Sequence, residues 1–236
     1  MPLVGSVDHK ELGKVMVTSR LNSRLASARW RRGLVNLNVP AGTPLADINR
    51  ILDDFTPRLL AVRPDITFLP GQTLVLPDVE ITIRTQPFLP DKILTRASLP
   101  ASYIEVGTNL SFDSRETSRL INDMLLKVAR KIAPQALLPH ARRLAAKIGH
   151  MPTGWHVSTG HRVLGVCNAR GIISLSYVLV FLPAHLRDYV IYHELAHLLE
   201  MNHSGRFHAL LNSYLDGREA ELVAELRNYR WPIMRN

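Results

Sequence analysis

The segment from Val190 to His203, V-I-Y-H-E-L-A-H-L-L-E-M-N-H, carries the pattern H-E-x-x-H at positions 193–197. The other members of its first ten positions are almost all apolar, which is typical of a buried helix. Residues four apart share one face of a helix, so the imidazoles of His193 and His197 can reach one ion. Glu194 lies one step round from His193, close to such an ion without binding it. The segment therefore predicts a helix with a metal site and an adjacent carboxylate.

Two histidines do not complete a catalytic zinc site, which usually has three protein ligands and one open position. His203 lies six residues after His197, and six helical steps of about 100° do not return to the ligand face. We therefore expect the helix to end before His203. Asn202 is expected to adopt the left-handed conformation that ends helices, and Ser204 to cap the next helix.

Other residues could supply the third ligand instead of His203. One alternative is His208, on the helix that follows. The other is a carboxylate from a later helix, and the candidates are Glu219, Glu221 and Glu225. His203 is favoured over them by its interval from His197 and by the predicted turn.

At about residue 110 the sequence changes from short strand-like patterns to long helical ones, and we predict a boundary between regions 1–110 and 111–236. Residues 1–110 contain short runs in which apolar and polar residues alternate, which is typical of strands. One helix is predicted to open at Thr43-Pro44 and to kink or end at Pro57. The first region is therefore expected to be a small β-rich part. No internal repeat is evident.

The second region is expected to combine long helices with a few strands. Its first helix is predicted to be capped by Asp113 or Ser114 and to be interrupted at Pro134 and Pro139. A strand is predicted at 172–177, and we expect it to be an edge that binds an extended peptide by β-addition. The fold class predicted for the whole chain is α+β.

Composition limits the class of protein. Of the 236 residues, 46% are hydrophobic and 21% are charged, so a packed core is expected. No apolar run reaches the roughly 18 residues of a membrane-spanning helix. Asp8, His9 and Lys10 lie where a secretion signal would have its apolar stretch, so none is expected. Cys167 is the single cysteine, which fits a reducing compartment and predicts a cytoplasmic location.

The formal net charge is +9, which allows attraction to nucleic acid, anionic membranes or acidic proteins without identifying a partner. Nucleic acid is therefore kept as a candidate partner beside the peptide or protein substrate that a peptidase would need.

Several blocks of the second region resemble the YgjP-like family of zinc metallopeptidases, relatives of the WLM and SprT-like proteases. The blocks are Leu164-Gly165-Val166-Cys167, residues 171–176, Leu182-Pro183, residues 188–190 and residues 193–204. The family's W-G-S-C is matched in part by Leu-Gly-Val-Cys. The family's third histidine falls on His203, and His208 stands where the family has tryptophan. The resemblance implies a zincin-like core behind a β-rich N-terminal part, with peptidase activity.

Residues and resemblance together predict a zinc metallopeptidase. Zinc would be held by His193, His197 and His203, and Glu194 would act as the general base for peptide hydrolysis. Two alternatives remain. One is a nucleic-acid-associated protease of the SprT or WLM type, suggested by the positive charge. The other is a non-catalytic zinc-binding module with a closed four-ligand site that includes Cys167 or His208.

Overall fold

The computed structural model describes residues 4–21, 23–31, 34–61, 68–112 and 114–234. The described residues form two compact units, the first within 4–61 and the second within 68–234. Helices and mixed sheets are both present, so the fold is α+β as predicted. The second unit begins before residue 110, where the pattern of the sequence changes, because it includes a sheet that packs with the helix following it.

The first unit is a four-stranded sheet covered by one helix. Its elements are β1 (Val4–His9), β2 (Gly13–Arg20), β3 (Ser27–Arg31), β4 (Leu34–Pro40) and α1 (Leu45–Ala61). The strand order is β1-β2-β4-β3, with β2 and β4 parallel and the two outer pairs antiparallel. Alternate residues such as Val15, Val35 and Leu37 are fully buried, and they pack with Ile48 and Leu52 of α1. The period-two pattern therefore forms a sheet with one buried face.

The prediction that Pro57 kinks or ends α1 is wrong as to the end, because the helix continues to Ala61. Leu59, two residues after Pro57, is 3% exposed and belongs to the core of this unit. The indole Nε1 of Trp30 donates to the carbonyl of Leu59 at 2.7 Å. These tertiary contacts hold the last turn and outweigh the hydrogen bond that proline cannot donate.

The second unit begins with a sheet of the same topology. Its strands are β5 (Thr73–Val75), β6 (Glu80–Gln86), β7 (Ile93–Arg96) and β8 (Ala101–Gly107). The order β5-β6-β8-β7 again has a parallel central pair between two antiparallel outer pairs, and a helix follows the last strand. The two sheets thus repeat one arrangement that the sequence does not display. The strands of each sheet require only that apolar and polar residues alternate, a pattern that many unrelated sequences have.

The helix α2 (Arg115–Ile148) is a single helix of 34 residues, so the predicted interruptions at Pro134 and Pro139 are wrong. Both prolines are exposed, whereas the opposite face is buried throughout. The carbonyls that lose a donor belong to residues 130 and 135, which are also exposed, so water can replace the missing N–H groups. Ser114 caps the helix as predicted, and Asp113 lies outside the described residues.

A third, three-stranded sheet and three short helices complete the unit. Its elements are β9 (Gly154–Ser158), β10 (Gly165–Cys167), β11 (Ile172–Ser176), a 3₁₀ turn (Tyr177–Phe181), α3 (Ala184–Ala196), α4 (Gly205–Tyr214) and α5 (Glu219–Asn228). The order is β10-β11-β9. The predicted strand at 172–177 is present, but its assignment as an edge is wrong, because β11 pairs with a strand on each side.

The long helix α2 is the element against which much of the second unit packs. The 3₁₀ turn is completely buried and, like α3 and β9, packs against α2. Among the described helices, none combines the length and the hydropathy that crossing a membrane requires.

An ion pair between a buried arginine and an aspartate whose side chain is 26% exposed anchors α3. Arg187, whose side chain is 3% exposed, donates to the carboxylate of Asp78 in the turn between β5 and β6. Removing one partner leaves the other charge unpaired. Arg187→Ala is therefore expected to lower the free energy of unfolding by about 3 kcal/mol, measured by urea denaturation followed by circular dichroism.

The control is Arg218→Ala, which removes an ion pair with Glu221 whose side chains are 51% and 60% exposed. It should leave the unfolding midpoint unchanged because water screens such pairs. Equal midpoints for Arg187→Ala and the wild type would mean that the pair with Asp78 does not stabilise α3.

Candidate metal centre

The helix α3 ends before His203, so the chain that follows it can fold back and bring His203 close to His193. It stops at Ala196, and the backbone N–H groups of Leu198 and Leu199 donate to carbonyls three residues earlier, both at 3.1 Å. Such bonds tighten a last turn into a 3₁₀ geometry. The predicted end before His203 is confirmed. The predicted left-handed Asn202 is wrong, because among the described residues the non-glycine with positive φ is Asp216.

The next helix fixes the position of His203. Ser204 caps α4, and its Oγ accepts from the N–H of Phe207, as the sequence predicted. The Phe207 ring is fully buried and stacks on the ring of His197, with 4.6 Å between centroids. The turn and the cap therefore hold His203 against His193 and His197.

The three histidines converge on one point. The Nε2 atom of His193 lies 3.3 Å from that of His197 and 3.1 Å from that of His203. The ligand atoms of all three lie within 4.8 Å of one another. Nitrogens bound tetrahedrally to zinc at about 2.0–2.1 Å are about 3.4 Å apart. The cluster could thus hold a metal ion of that size.

The protonation of the rings suits a metal ion. Burial, followed by the nearby rings of His197, His203 and His208, lowers the pKa of His193 to about 4. Burial also lowers the pKa of His197, against the hydrogen bond that its Nδ1–H donates to the carbonyl of Glu200 at 3.0 Å. That bond fixes the tautomer with a free lone pair on Nε2. Neutral imidazoles are the form that binds metals.

Glu194 lies between α3 and β10 and is 5% exposed. Burial raises the pKa of its carboxyl group to about 7, opposed by a hydrogen bond from the backbone N–H of Cys167. A Cβ added to Gly165 would lie 2.5 Å from Cγ and 2.6 Å from Oε1 of Glu194. The absence of a side chain at Gly165 is therefore what lets β10 approach the carboxylate this closely.

The alternative ligands have other partners. The Nδ1 of His208 donates to Glu219 at 2.7 Å. Glu221 pairs with Arg218, and Glu225 with His185. In the part of the chain that the structure describes, the cluster of potential metal ligands contains His203 and none of these residues.

The comparison with protein families agrees with this geometry. The model of the YgjP-like family, metallopeptidase domain, matches residues 26–229. The chain belongs to the YgjP-like family. The resemblance predicted from the sequence blocks is thereby confirmed, and the YgjP-like match includes the three histidines, Glu194 and β10. No curated protein and no solved structure matches the chain significantly.

Sequence reasoning missed the contribution of β10. Nothing in the spacing shows that Gly165 and the backbone N–H of Cys167 contact Glu194, because the contact joins residues about thirty positions apart. The one available signal was the glycine itself, since a glycine in a strand often marks a close approach.

The role of Gly165 can be tested by adding one methyl group. In Gly165→Ala, Glu194 must withdraw by about 1 Å to regain an ordinary contact distance of about 3.5 Å. A crystal structure of the variant should show the carboxylate displaced and its bond to Cys167 broken. Gly154→Ala on β9 is the control, because its added Cβ would come no closer than 3.8 Å to Ile172. An unmoved Glu194 in Gly165→Ala would contradict this account.

Proposed function

We propose that this YgjP-like protein is a zinc-dependent peptidase in which His193, His197 and His203 bind the metal and Glu194 is the general base. The observation that carries the proposal is the convergence of the Nε2 atoms of His193, His197 and His203, with the buried Glu194 adjacent in sequence to the first of them. Three imidazoles form a donor set typical of catalytic zinc, which keeps one coordination position open. Zinc bound there would supply a Lewis acid that polarises a peptide carbonyl and lowers the pKa of water.

Glu194 would move the proton. Its carboxylate accepts the proton of the attacking water and later returns it to the leaving amine. Two contacts with β10 hold the side chain for this work: the close approach at Gly165 and the N–H of Cys167. A base must be within hydrogen-bond reach of its water, so this positioning is essential to the proposed reaction.

The substrate class is a peptide or protein segment in extended conformation. In the described sheet, β10 pairs with a strand, β11, on one side only, and on its other side the backbone N–H of Cys167 is engaged by Glu194. A peptide can add to an edge strand through backbone hydrogen bonds. Because Glu194 contacts β10, a peptide paired there would pass the proposed catalytic base.

The contacts of Cys167 and His208 favour an open site over a closed structural one. Burial and the charge of Glu194 raise the pKa of the Cys167 thiol, which disfavours the thiolate that binds zinc. The nitrogen Nδ1 of His208 is engaged by Glu219. Neither residue belongs to the ligand cluster found among the described residues.

Two expectations from the sequence stay predictions, namely binding of nucleic acid and a cytoplasmic location. The outer face of α2 carries exposed basic residues that could attract a phosphate backbone: Lys127, Lys131, Arg142 and Lys147. Such binding would weaken steeply as salt is raised.

The purified protein is expected to bind about one zinc ion per chain, since one ligand cluster is found among the described residues. His203→Ala should weaken zinc binding more than about 100-fold, beyond the loss typical of residues that only support a ligand. The variant should remain folded because His203 is exposed. Zinc content and competition with a chelator measure the effect.

His185→Ala is the matched control, because His185 is also exposed and hydrogen-bonded to a glutamate of α5. It should bind zinc like the wild type. Equal zinc affinity of the two variants would remove His203 from the site.

Glu194→Gln should keep the metal and lose hydrolysis, because an amide of the same size cannot accept the proton. The measurement is cleavage of fluorescently labelled unfolded casein by the zinc-loaded protein, with zinc content determined in parallel. Wild-type turnover by the variant would exclude Glu194 as the base.

A further inference from the structure

A second polar network adjoins the three-histidine cluster. His208 lies on α4, with its ring centroid 6.4 Å from that of His203 and the planes inclined by 30°. Its Nδ1 lies 2.7 Å from Oε1 of Glu219, and half of its side chain is exposed. Because an ionised carboxylate can only accept, Nδ1 is the donor, and Nε2 lies on the far side of the ring from Glu219.

Glu219 is a buried carboxylate with a hydrogen-bond partner for each oxygen. It is 8% exposed, and Asn212 donates to its Oε2 at 3.0 Å. The side-chain oxygen of Asn212 accepts from the backbone N–H of Glu219 at 3.1 Å, and its amide also donates to the carbonyl of His208. Asn212 therefore fixes the positions of both His208 and Glu219 relative to each other.

The turn between α4 and α5 makes this network possible. Asp216 and Gly217 have φ values of 53° and 80°, a conformation that reverses the chain within a few residues. The N–H of Gly217 donates to the carbonyl of Asn212 at 2.9 Å. The first residue of α5 is thereby brought back against α4. Asp216 is strained as a non-glycine residue in this region, and such strain is often found beside functional sites.

Stability alone does not account for the network. Burying a carboxylate costs several kcal/mol, and apolar residues of similar volume stabilise a fold as well or better. A half-exposed imidazole contributes little packing in return. The network does fix the orientation of the His208 ring, which is the property that a substrate-binding side chain requires.

The pair also lines a cavity of about 430 Å³ between α4 and α5. Its wall includes His208, Asn212 and Glu219, and it extends along α5 past Val223 to Arg227. His208 thus lies between the three-histidine cluster and a space that can receive a substrate side chain. A peptide cleaved at the cluster with a neighbouring side chain in this cavity would pass His208.

We propose that His208 is a further catalytic residue of this peptidase site, positioned by Glu219 and Asn212, whose Nε2 donates a hydrogen bond to the oxygen of the scissile carbonyl as that oxygen gains negative charge. The inference rests on the proposed function. With Nδ1 held by Glu219, the ring presents Nε2 away from that carboxylate, and with both ring nitrogens protonated this atom is a donor. A pre-oriented donor of this kind acts on the transition state more than on the bound substrate.

The test compares His208→Ala and Glu219→Gln with the wild type, all loaded with zinc. Cleavage of labelled unfolded casein gives kcat and KM. Calorimetry with a tetra-alanine peptide whose central amide is replaced by a phosphinate measures binding of a tetrahedral, charged analogue. His208→Ala should retain one zinc per chain and lose about 100-fold in kcat with little change in KM, the effect of removing one oxyanion donor.

The other variants separate catalysis from structure. His208→Gln keeps a neutral donor and should recover part of the loss in kcat. In Glu219→Gln, kcat should fall by less than in His208→Ala, because the ring remains. The double variant should be no slower than His208→Ala alone, since a positioning residue acts only through its partner. Phosphinate affinity should fall in the same order as kcat.

His185→Ala is again the matched control, with a side chain 45% exposed and bonded to Glu225 at 2.7 Å. It should change none of these quantities. Loss of zinc from His208→Ala would make His208 a ligand and overturn the proposal. Unchanged kcat and phosphinate affinity would make the network structural. If the zinc-loaded wild type neither cleaves casein nor binds the phosphinate, the proposed peptidase function itself fails.

Discussion

The close approach of β10 to α3 is the constraint on which the rest of the site depends. It brings a backbone N–H to the Glu194 carboxylate and leaves no room for a side chain at Gly165. Several features of the second unit hold the two elements in this relation. The central strand β11 pairs with β10 and continues into the buried 3₁₀ turn that leads to α3. The pair of Arg187 with Asp78 ties α3 to the turn of the second sheet.

The same close packing lowers the stability of the fold, because it removes polar side chains of the site from water. Glu194, His193 and His197 are desolvated, and Nδ1 of His193 has no hydrogen-bond partner among the described residues. Unpartnered polar groups in a core oppose folding. A cation bound between the three rings would offset part of this cost, because it interacts favourably with the neutral imidazoles. Metal binding at the proposed site would therefore also stabilise the fold.

The local parts of the fold and of the site could be predicted from the sequence. The spacing of His193 and His197, the end of the helix before His203 and the cap at Ser204 each depend on a few consecutive residues. Predictions failed where distant residues decide the outcome. Whether a proline breaks a helix depends on which face it occupies. Pro134 and Pro139 lie on the exposed face of α2, whereas packing holds the opposite face in place.

The order of the strands and the partners of polar side chains likewise could not be predicted from residues that are close together in the sequence. The position of β11 in the middle of its sheet follows from pairings that periodicity does not reveal. The pairing of His208 with Glu219 depends on a turn with two positive φ angles. The sequence could therefore nominate both residues as ligands without showing that they bind each other.

The most direct test of the proposed zinc site is a crystal structure of the zinc-loaded protein with anomalous data collected on both sides of the zinc absorption edge. We predict one strong peak about 2.0–2.1 Å from the Nε2 atoms of His193, His197 and His203, with a fourth position not filled by protein. A peak ligated by Cys167, His208 or Glu219, or no peak between the three rings, would contradict it.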